Sequence, residues 1–334
     1  MPGTDPPRRL GDAGAGLAPE QVRGASLNAR TIPIVAALTL LWGCNWPILK
    51  MGVSELAPLT FRSLTLPFAG LGLLLVAQVA GEPVRVARRH WGKLAWLALF
   101  NIAGWNGFIL FGVQQLSSGR SAILAYTMPL WATLCAALVL HEPLSRRKIA
   151  GLALGMTGMA LLVADQVRVL KSAPVGVMLI LIAALSWGFG TALMRKWPLP
   201  IPQATLTGWM MLLGWLPLVI LVPAFDPKPL AAELAALSGR GWFAIAYNIV
   251  FAGTLANWAW FTLARRLPVA VSSLSSLPVP VVGVFSGMVL LGERPGATEW
   301  VALAFVVAAL FIVMFRGSSR TDAASAVSTR AMHD

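Results

Sequence analysis

Charge is what this chain has least of. Charged residues fill 12% of its 334 positions, about half the share of a soluble domain, while hydrophobic residues reach 57%. A water-soluble globule is thereby excluded. Carboxylates are scarcer still: 13 in all, each in a tail, a loop or the end of an apolar run, from Asp5 to Asp334. The three histidines, His90, His141 and His333, are equally peripheral. Proton relays need Asp, Glu or His at membrane depth, so this distribution argues against proton coupling. It argues equally against intramembrane proteolysis, because there is no Asp pair, no HExxH and no inner His to activate a serine. A phosphate-cradling Gly-rich loop ending in Lys-Ser/Thr is absent too, which speaks against ATP-driven work by this chain alone. The two cysteines, Cys44 and Cys135, lie in separate apolar runs without CxxC spacing, so neither a disulfide framework nor a zinc site is supported. No cofactor and no metal is implied.

What the chain has is long apolar runs. A bilayer core is crossed by about 20 helical residues, and breaking the sequence at its charged and Gly/Pro clusters leaves about ten such runs. Their approximate limits are 31–50, 58–80, 92–114, 120–140, 147–165, 174–194, 202–224, 241–263, 268–291 and 297–315. Each must be helical, because only helices and closed barrels satisfy backbone groups in hydrocarbon, and barrel strands are shorter and alternating. The expected fold is an all-α polytopic membrane protein. Residues 1–30, polar and rich in Pro, Gly and Arg, read as a disordered tail rather than a cleavable signal, and 317–334 as a second tail. With both termini placed inside, inner segments hold 18 Lys and Arg against 7 outside, with Arg62 inside the second span. That favours cytoplasmic termini. The net charge of +13 is then a membrane signature, not a nucleic-acid one.

The two halves echo one another. "PLWATLCAALVLHEPL" (129–144) has its counterpart in "PVVGVFSGMVLLGERP" (280–295), and an offset of 151 pairs Pro129 with Pro280, Glu142 with Glu293 and Asn106 with Asn257. "LWGCNW" (41–46) parallels "SWGFGT" (186–191) at an offset of 145. Five spans per half is an odd number, so the second half must lie inverted, an arrangement found in secondary transporters with the substrate site at the repeat interface. The expected units are 31–165 and 174–316.

These stretches, with "LLWGCNWPILKMGVSELAPLTFRSL" (40–64), resemble the EamA-type drug/metabolite transporter family over about residues 31–316. The resemblance implies ten helices around a central cavity and export of small metabolites from a bacterial inner membrane. Within the family, the chain is similar to YddG-like amino-acid exporters. It departs from a symmetric pattern in that "WGFGTALMRK" lacks the Asn-Trp-Pro of residues 45–47.

Candidate cavity residues are the amides and indoles that lipid cannot satisfy. Trp42, Asn45, Trp46 and Leu49 share one helical face. Pro47 cannot donate to the carbonyl of Gly43, whose oxygen is freed for another partner. Asn101, Trp105 and Asn106 cluster in the third span, and Tyr247, Asn248, Asn257 and Trp258 in the eighth. Trp187 matches Trp42 in the repeat, and Tyr126 and Ser276 lie one turn before Pro129 and Pro280. For each of these two readings stay open, cavity lining or helix–helix packing. Pro47, Pro129 and Pro280 are candidate hinges or fixed kinks. Trp91, Trp96, Trp197, Trp242 and Trp300 sit at span ends, as interfacial anchors do. Gly151/Gly155, Gly283/Gly287 and Ala132/Ala136 are small-residue packing faces. Glu142 and Glu293 are expected to cap the following helix or pair with Arg146, Arg147 or Arg294. Lys50, Arg62 and Arg120, near the outer ends of spans, could draw a substrate carboxylate, but snorkelling or topology is their default reading, least comfortably for Arg62, about four residues inside span two. No basic residue is expected deep in the cavity.

The reading that results is an exporter of amino acids and related small metabolites, working by alternating access as a uniporter. Purines, nucleoside-like compounds or hydrophobic drugs are alternative cargoes on the same fold, and proton-coupled antiport an alternative mechanism. The partners are a small-molecule substrate and the lipid bilayer, with no nucleic acid and no obligate protein partner.

Overall fold

The computed structural model describes residues 32–170, 175–266 and 277–314. Among them there is no strand. In chain order the helices are α1 (Ile32–Gly43), α2 (Asn45–Glu55), α3 (Pro58–Val79), α4 (Trp91–Ala98), α5 (Trp105–Gln115), α6 (Ser118–Ala125), α7 (Met128–Leu140), α8 (Arg146–Leu170), α9 (Val175–Lys196), α10 (Gln203–Phe225), α11 (Leu230–Ala235), α12 (Gly239–Tyr247), α13 (Ala256–Arg266), α14 (Val279–Leu291) and α15 (Ala297–Met314). Consecutive helices join into longer rods. α1 and α2 together make a 24-residue rod from Ile32 to Glu55, α6 and α7 one from Ser118 to Leu140. Among the described residues, seven rods are long and apolar enough to cross a membrane, and α14 and α15 are shorter apolar helices. The protein is a multi-pass membrane protein, and it wears its apolar surface outside: Phe68, Leu75, Leu138, Ile220 and Val289 are all exposed, while Thr60, Thr65, Asn101, Asn106 and Asn248 are buried. In water that distribution would be ruinous, whereas in lipid the outer side chains are already solvated.

Small residues set the closest approaches. α3 and α10 cross where Gly70 meets Gly208, each 3.0 Å (measured from an added Cβ) from the other's carbonyl oxygen. Gly151, Gly155 and Gly158 carry α8 against Ala302, Phe305 and Ala309 of α15, and Gly283 of α14 packs on Ala122 of α6 and on Trp46. The end-of-span indoles divide: Trp96 and Trp242 are exposed, but Trp91 is pinned, with its Nε1 donating to Val86 O at 3.2 Å and its ring 5.0 Å from that of Trp209.

Local geometry recurs at the repeat offset. The third and eighth spans are each interrupted by a π-helical turn, Leu99–Gly104 and Asn248–Leu255. α7 and α14 each end on a left-handed residue, His141 (φ 55°) and Gly292 (φ 66°), again 151 apart. A π turn lengthens one turn by a residue and so rotates the remainder of its helix by about 100°.

Proline breaks hydrogen-bond ladders where the sequence places it. Pro129 and Pro280 lie in the first turn of α7 and α14, where a missing N–H costs nothing. Pro47 sits in the first turn of α2, and the turn residue Cys44, three positions earlier, separates α1 from α2.

Candidate functional site

A polar cavity of about 180 Å³ opens among α1, α2, α3, the third span, α9, α10 and the eighth span. The earlier part of the chain lends Trp42, Asn45, Arg62, Thr65, Leu66, Ala69, Asn101, Ile102, Trp105 and Asn106, and the later part Trp187, Met211, Asn248, Ala252, Gly253 and Asn257. The repeat-related pairs Trp42/Trp187 and Asn106/Asn257 thus face one space. Spans one to three and six to eight build it. Among the described residues, the fourth, fifth, ninth and tenth spans do not line it.

The π turns bring the amides together. Nine residues separate Asn248 from Asn257, half a revolution in an ideal α-helix, yet both line the cavity. The extra residue of the π turn rotates Asn257 back toward Asn248 and turns Phe251 and Trp258 outward, where both are exposed. Asn101 and Asn106 are reconciled in the same way.

Each amide is oriented by its own helix. Asn101 Nδ2 donates to Leu97 O at 3.0 Å, Asn106 Nδ2 to Ile102 O at 2.8 Å, Asn248 Nδ2 to Ala244 O at 3.0 Å and Asn257 Nδ2 to Gly253 O at 2.8 Å. A carbonyl can only accept, so each of these bonds uses an N–H of the amide and leaves its oxygen for something else. Trp42 is fixed by Nε1 donating to Ala252 O at 3.3 Å. The cavity wall is therefore rich in acceptors.

Arg62 supplies the opposite polarity. It is 8% exposed, its Nη1 donates to Asn248 Oδ1 at 3.1 Å, and its Nε finds no partner. None of the ion pairs among the described residues includes it. A buried charge without a counter-charge is costly, and fold stability alone offers no reason to keep it. The sequence placed Arg62 near a span end as a snorkelling cation and saw no base in the cavity. The structure corrects that, because Asn248, 186 residues away, turns the guanidinium inward. The other cations are spent. Lys50 Nζ donates to Val113 O (2.9 Å) and Gln114 O (2.7 Å) at the C-terminus of α5, and Arg120 pairs with Asp165 at 2.6 Å and with Glu299.

Other expected residues go elsewhere. Trp46, one residue and about 100° round from Asn45, is buried edge-on to Tyr126, with ring centroids 6.4 Å apart. Both fill core space outside the cavity wall. The Tyr247 hydroxyl donates to Leu41 O at 3.0 Å, tying α12 to α1. Trp258 faces outward, and Ser276 lies outside the described residues. Glu293 does cap a helix, but α6 rather than the following one: its carboxylate accepts from Ser118 N (2.6 Å), Ser118 Oγ (2.9 Å) and Gly119 N (3.1 Å). Glu142 pairs with Arg195 and, at 3.8 Å, with Lys148. Similar cross-chain caps are made by Glu55 on Ser238 N (2.8 Å) and by Asp226 on Thr60 N (2.9 Å).

A multi-pass helical protein with a polar cavity drawn from corresponding spans of two halves has the anatomy of a small-molecule carrier. The chain belongs to the EamA-like transporter family, whose profile matches it twice, over residues 30–164 and 174–315. It is similar to the uncharacterized transporter YoaV of Bacillus subtilis (24% identical over 291 residues, covering 86% of this chain and 97% of YoaV). It is also similar to the uncharacterized inner membrane transporter YedA of Escherichia coli K12 (28% over 278 residues, 83% and 88% covered). A WAT1-related chloroplastic protein of Arabidopsis thaliana is 25% identical over 281 residues, with 81% of this chain and 67% of that protein covered. One crystal structure superimposes with a TM-score of 0.62 at 18% identity, covering 85% of this chain and 95% of the other, a likeness of fold alone.

Proposed function

We propose that this protein is a secondary transporter that exports amino acids and related small metabolites across a bacterial inner membrane by alternating access. Ten spans form two inverted five-helix repeats, 31–165 and 174–316, with the tails 1–30 and 317–334 and both termini on the cytoplasmic side. The double family match, the paired π turns and the paired left-handed helix ends support this architecture. The observation that carries the functional reading is the cavity itself, walled by Trp42, Trp105 and Trp187 and studded with the amides of Asn45, Asn101, Asn106, Asn248 and Asn257. Such a wall binds small amphipathic solutes through ring faces and directed hydrogen bonds.

Transport is uniport. Among the described residues, no Asp, Glu or His lines the cavity, so none of them offers a group there to take up and release a coupling proton. Rocking of one repeat against the other, with bending at Pro47, Pro129 and Pro280, exposes the cavity to each side in turn.

The experiment is uptake of radiolabelled amino acids by the purified protein in liposomes, with and without an imposed pH gradient and against competing purines. Saturable amino-acid flux indifferent to the gradient is the expected result. Flux that appears only with the gradient refutes uniport, and flux of purines alone refutes the cargo.

A further inference from the structure

Two residues that line the same cavity each carry a buried atom without a partner, and the two atoms are of opposite hydrogen-bonding sense. Arg62 Nε is a charged donor with nothing to donate to, and Asn45 Oδ1 is an acceptor with nothing to accept. Orphaned buried polar groups are rare in folded proteins, and a charged one rarer. A pair of them on two side chains of one cavity wall describes a ligand that would satisfy both.

We infer that Arg62 and Asn45 read the head group of a small zwitterion, a carboxylate against the guanidinium and an ammonium against the amide oxygen. With the cargo taken as an amino acid, the reading of the proposed function, this assigns the residues that recognise its α-carboxylate and α-amine. The guanidinium fork matches a carboxylate geometrically, and with one Nη already on Asn248 its Nε edge is the open one. The oxygens of Asn101, Asn106 and Asn257, left over once their amino groups bond their own helices, add acceptors for the three N–H bonds of an ammonium. Indole faces add cation–π attraction for the same group.

Other charge types fit less well. A neutral purine or drug leaves the guanidinium unneutralised in a desolvated site. An amine without an acid brings a second positive charge beside Arg62. A phosphate dianion brings two charges to one cation, since no second Lys or Arg lines the cavity among the described residues.

The test compares L-phenylalanine with its two halves, phenethylamine and 3-phenylpropionate, on the purified full chain, by flux in liposomes and by ligand-induced rise in unfolding temperature in detergent. In the wild type phenylalanine is carried and stabilises most. R62Q raises its KM about 100-fold, the scale of stripping one partner from a buried charge pair, without lowering the unfolding temperature of the empty protein. R62K, which keeps the charge but loses the fork, falls between the two. N45A shifts preference from phenylalanine toward 3-phenylpropionate. Wild-type KM in R62Q overturns the assignment, as does a lowered unfolding temperature with equal loss for all three probes, which marks Arg62 as structural. If R62Q is not recovered folded, N45A decides, an unchanged preference overturning the assignment. If the wild type carries no amino acid, the transport reading fails separately. In that case stabilisation by 3-phenylpropionate in the wild type but not in R62Q keeps the anion anchor, and its absence removes it.

Discussion

The hydroxyl of Ser286 lies 3.3 Å from the carbonyl oxygen of Gly43, across 243 residues of chain. Gly43 is the residue whose acceptor Pro47 leaves without an intrahelical donor, and α14 offers it the Ser286 hydroxyl, whose one proton is shared with Gly283 O at 3.1 Å. The same solution recurs inside α3, where Pro67 orphans the carbonyl of Ser63 and the indole of Trp215 donates to it at 3.2 Å.

If those donors stand in for missing backbone N–H groups, their loss and the proline's loss must be coupled. Ser286→Ala is expected to cost about 1–3 kcal/mol, and much less in a Pro47→Ala background, where residue 47 again has an N–H for Gly43. Trp215→Phe and Pro67→Ala form a second cycle with the same sign. Unfolding free energies of the four proteins in each cycle check this, and additive costs refute it.

Gly190 should behave as part of the cavity although it does not line it. A Cβ there would lie 2.6 Å from Asn101 Cγ and 2.9 Å from its Oδ1, so Gly190→Ala must displace the amide. Overpacking costs about 1–3 kcal/mol, and KM rises with it. Gly151→Ala, which presses on Val313 Cγ2 at 2.6 Å in the α8–α15 contact, serves as the control. It is destabilised to a similar extent with KM unchanged. Equal KM in both variants would show that Asn101 is mere packing.

Glu293 holds the N-terminus of α6 with three accepted hydrogen bonds, two of them from backbone N–H groups. Glu293→Gln keeps one acceptor and removes the charge that complements the helix dipole, for a loss of about 1 kcal/mol in unfolding free energy. Glu142→Gln, which breaks only exposed or half-exposed pairs with Arg195 and Lys148, should move stability far less. A larger loss at Glu142 than at Glu293 would contradict the capping role.

The matched helix ends differ in a way that can be measured. His141 adopts a left-handed conformation that costs a non-glycine residue about 1 kcal/mol or more, whereas Gly292 adopts it freely. His141→Gly is expected to raise unfolding free energy by about that amount, and Gly292→Ala to lower it. The pair of measurements, made on the same preparation, checks both signs.

Much of this molecule is legible in its sequence. The apolar spans, the amide and indole clusters and the orphaned Gly43 oxygen can all be read there, because each depends on residues within a few positions of one another. Trp46 and Trp258 are misplaced by such a reading for two reasons: Trp46 stands about 100° round the helix from Asn45, which takes the cavity side, and Trp258 follows a π turn. A reading from sequence projects side-chain direction along an unbroken 3.6-residue helix, but the π turn at Asn248–Leu255 resets that direction for Trp258.

The sequence by itself determined that the chain lives in a membrane, that its halves correspond and that the middles of its apolar runs hold amides but no carboxylates, since hydropathy, spacing and composition are properties of the string. Only the tertiary structure decided which amides meet, which proline-freed carbonyls find donors and that Arg62 points inward without a counter-charge. A guanidinium about five residues into a helix can snorkel or turn in with equal covalent ease. The choice was made by Asn248, brought beside it by packing between α3 and the eighth span.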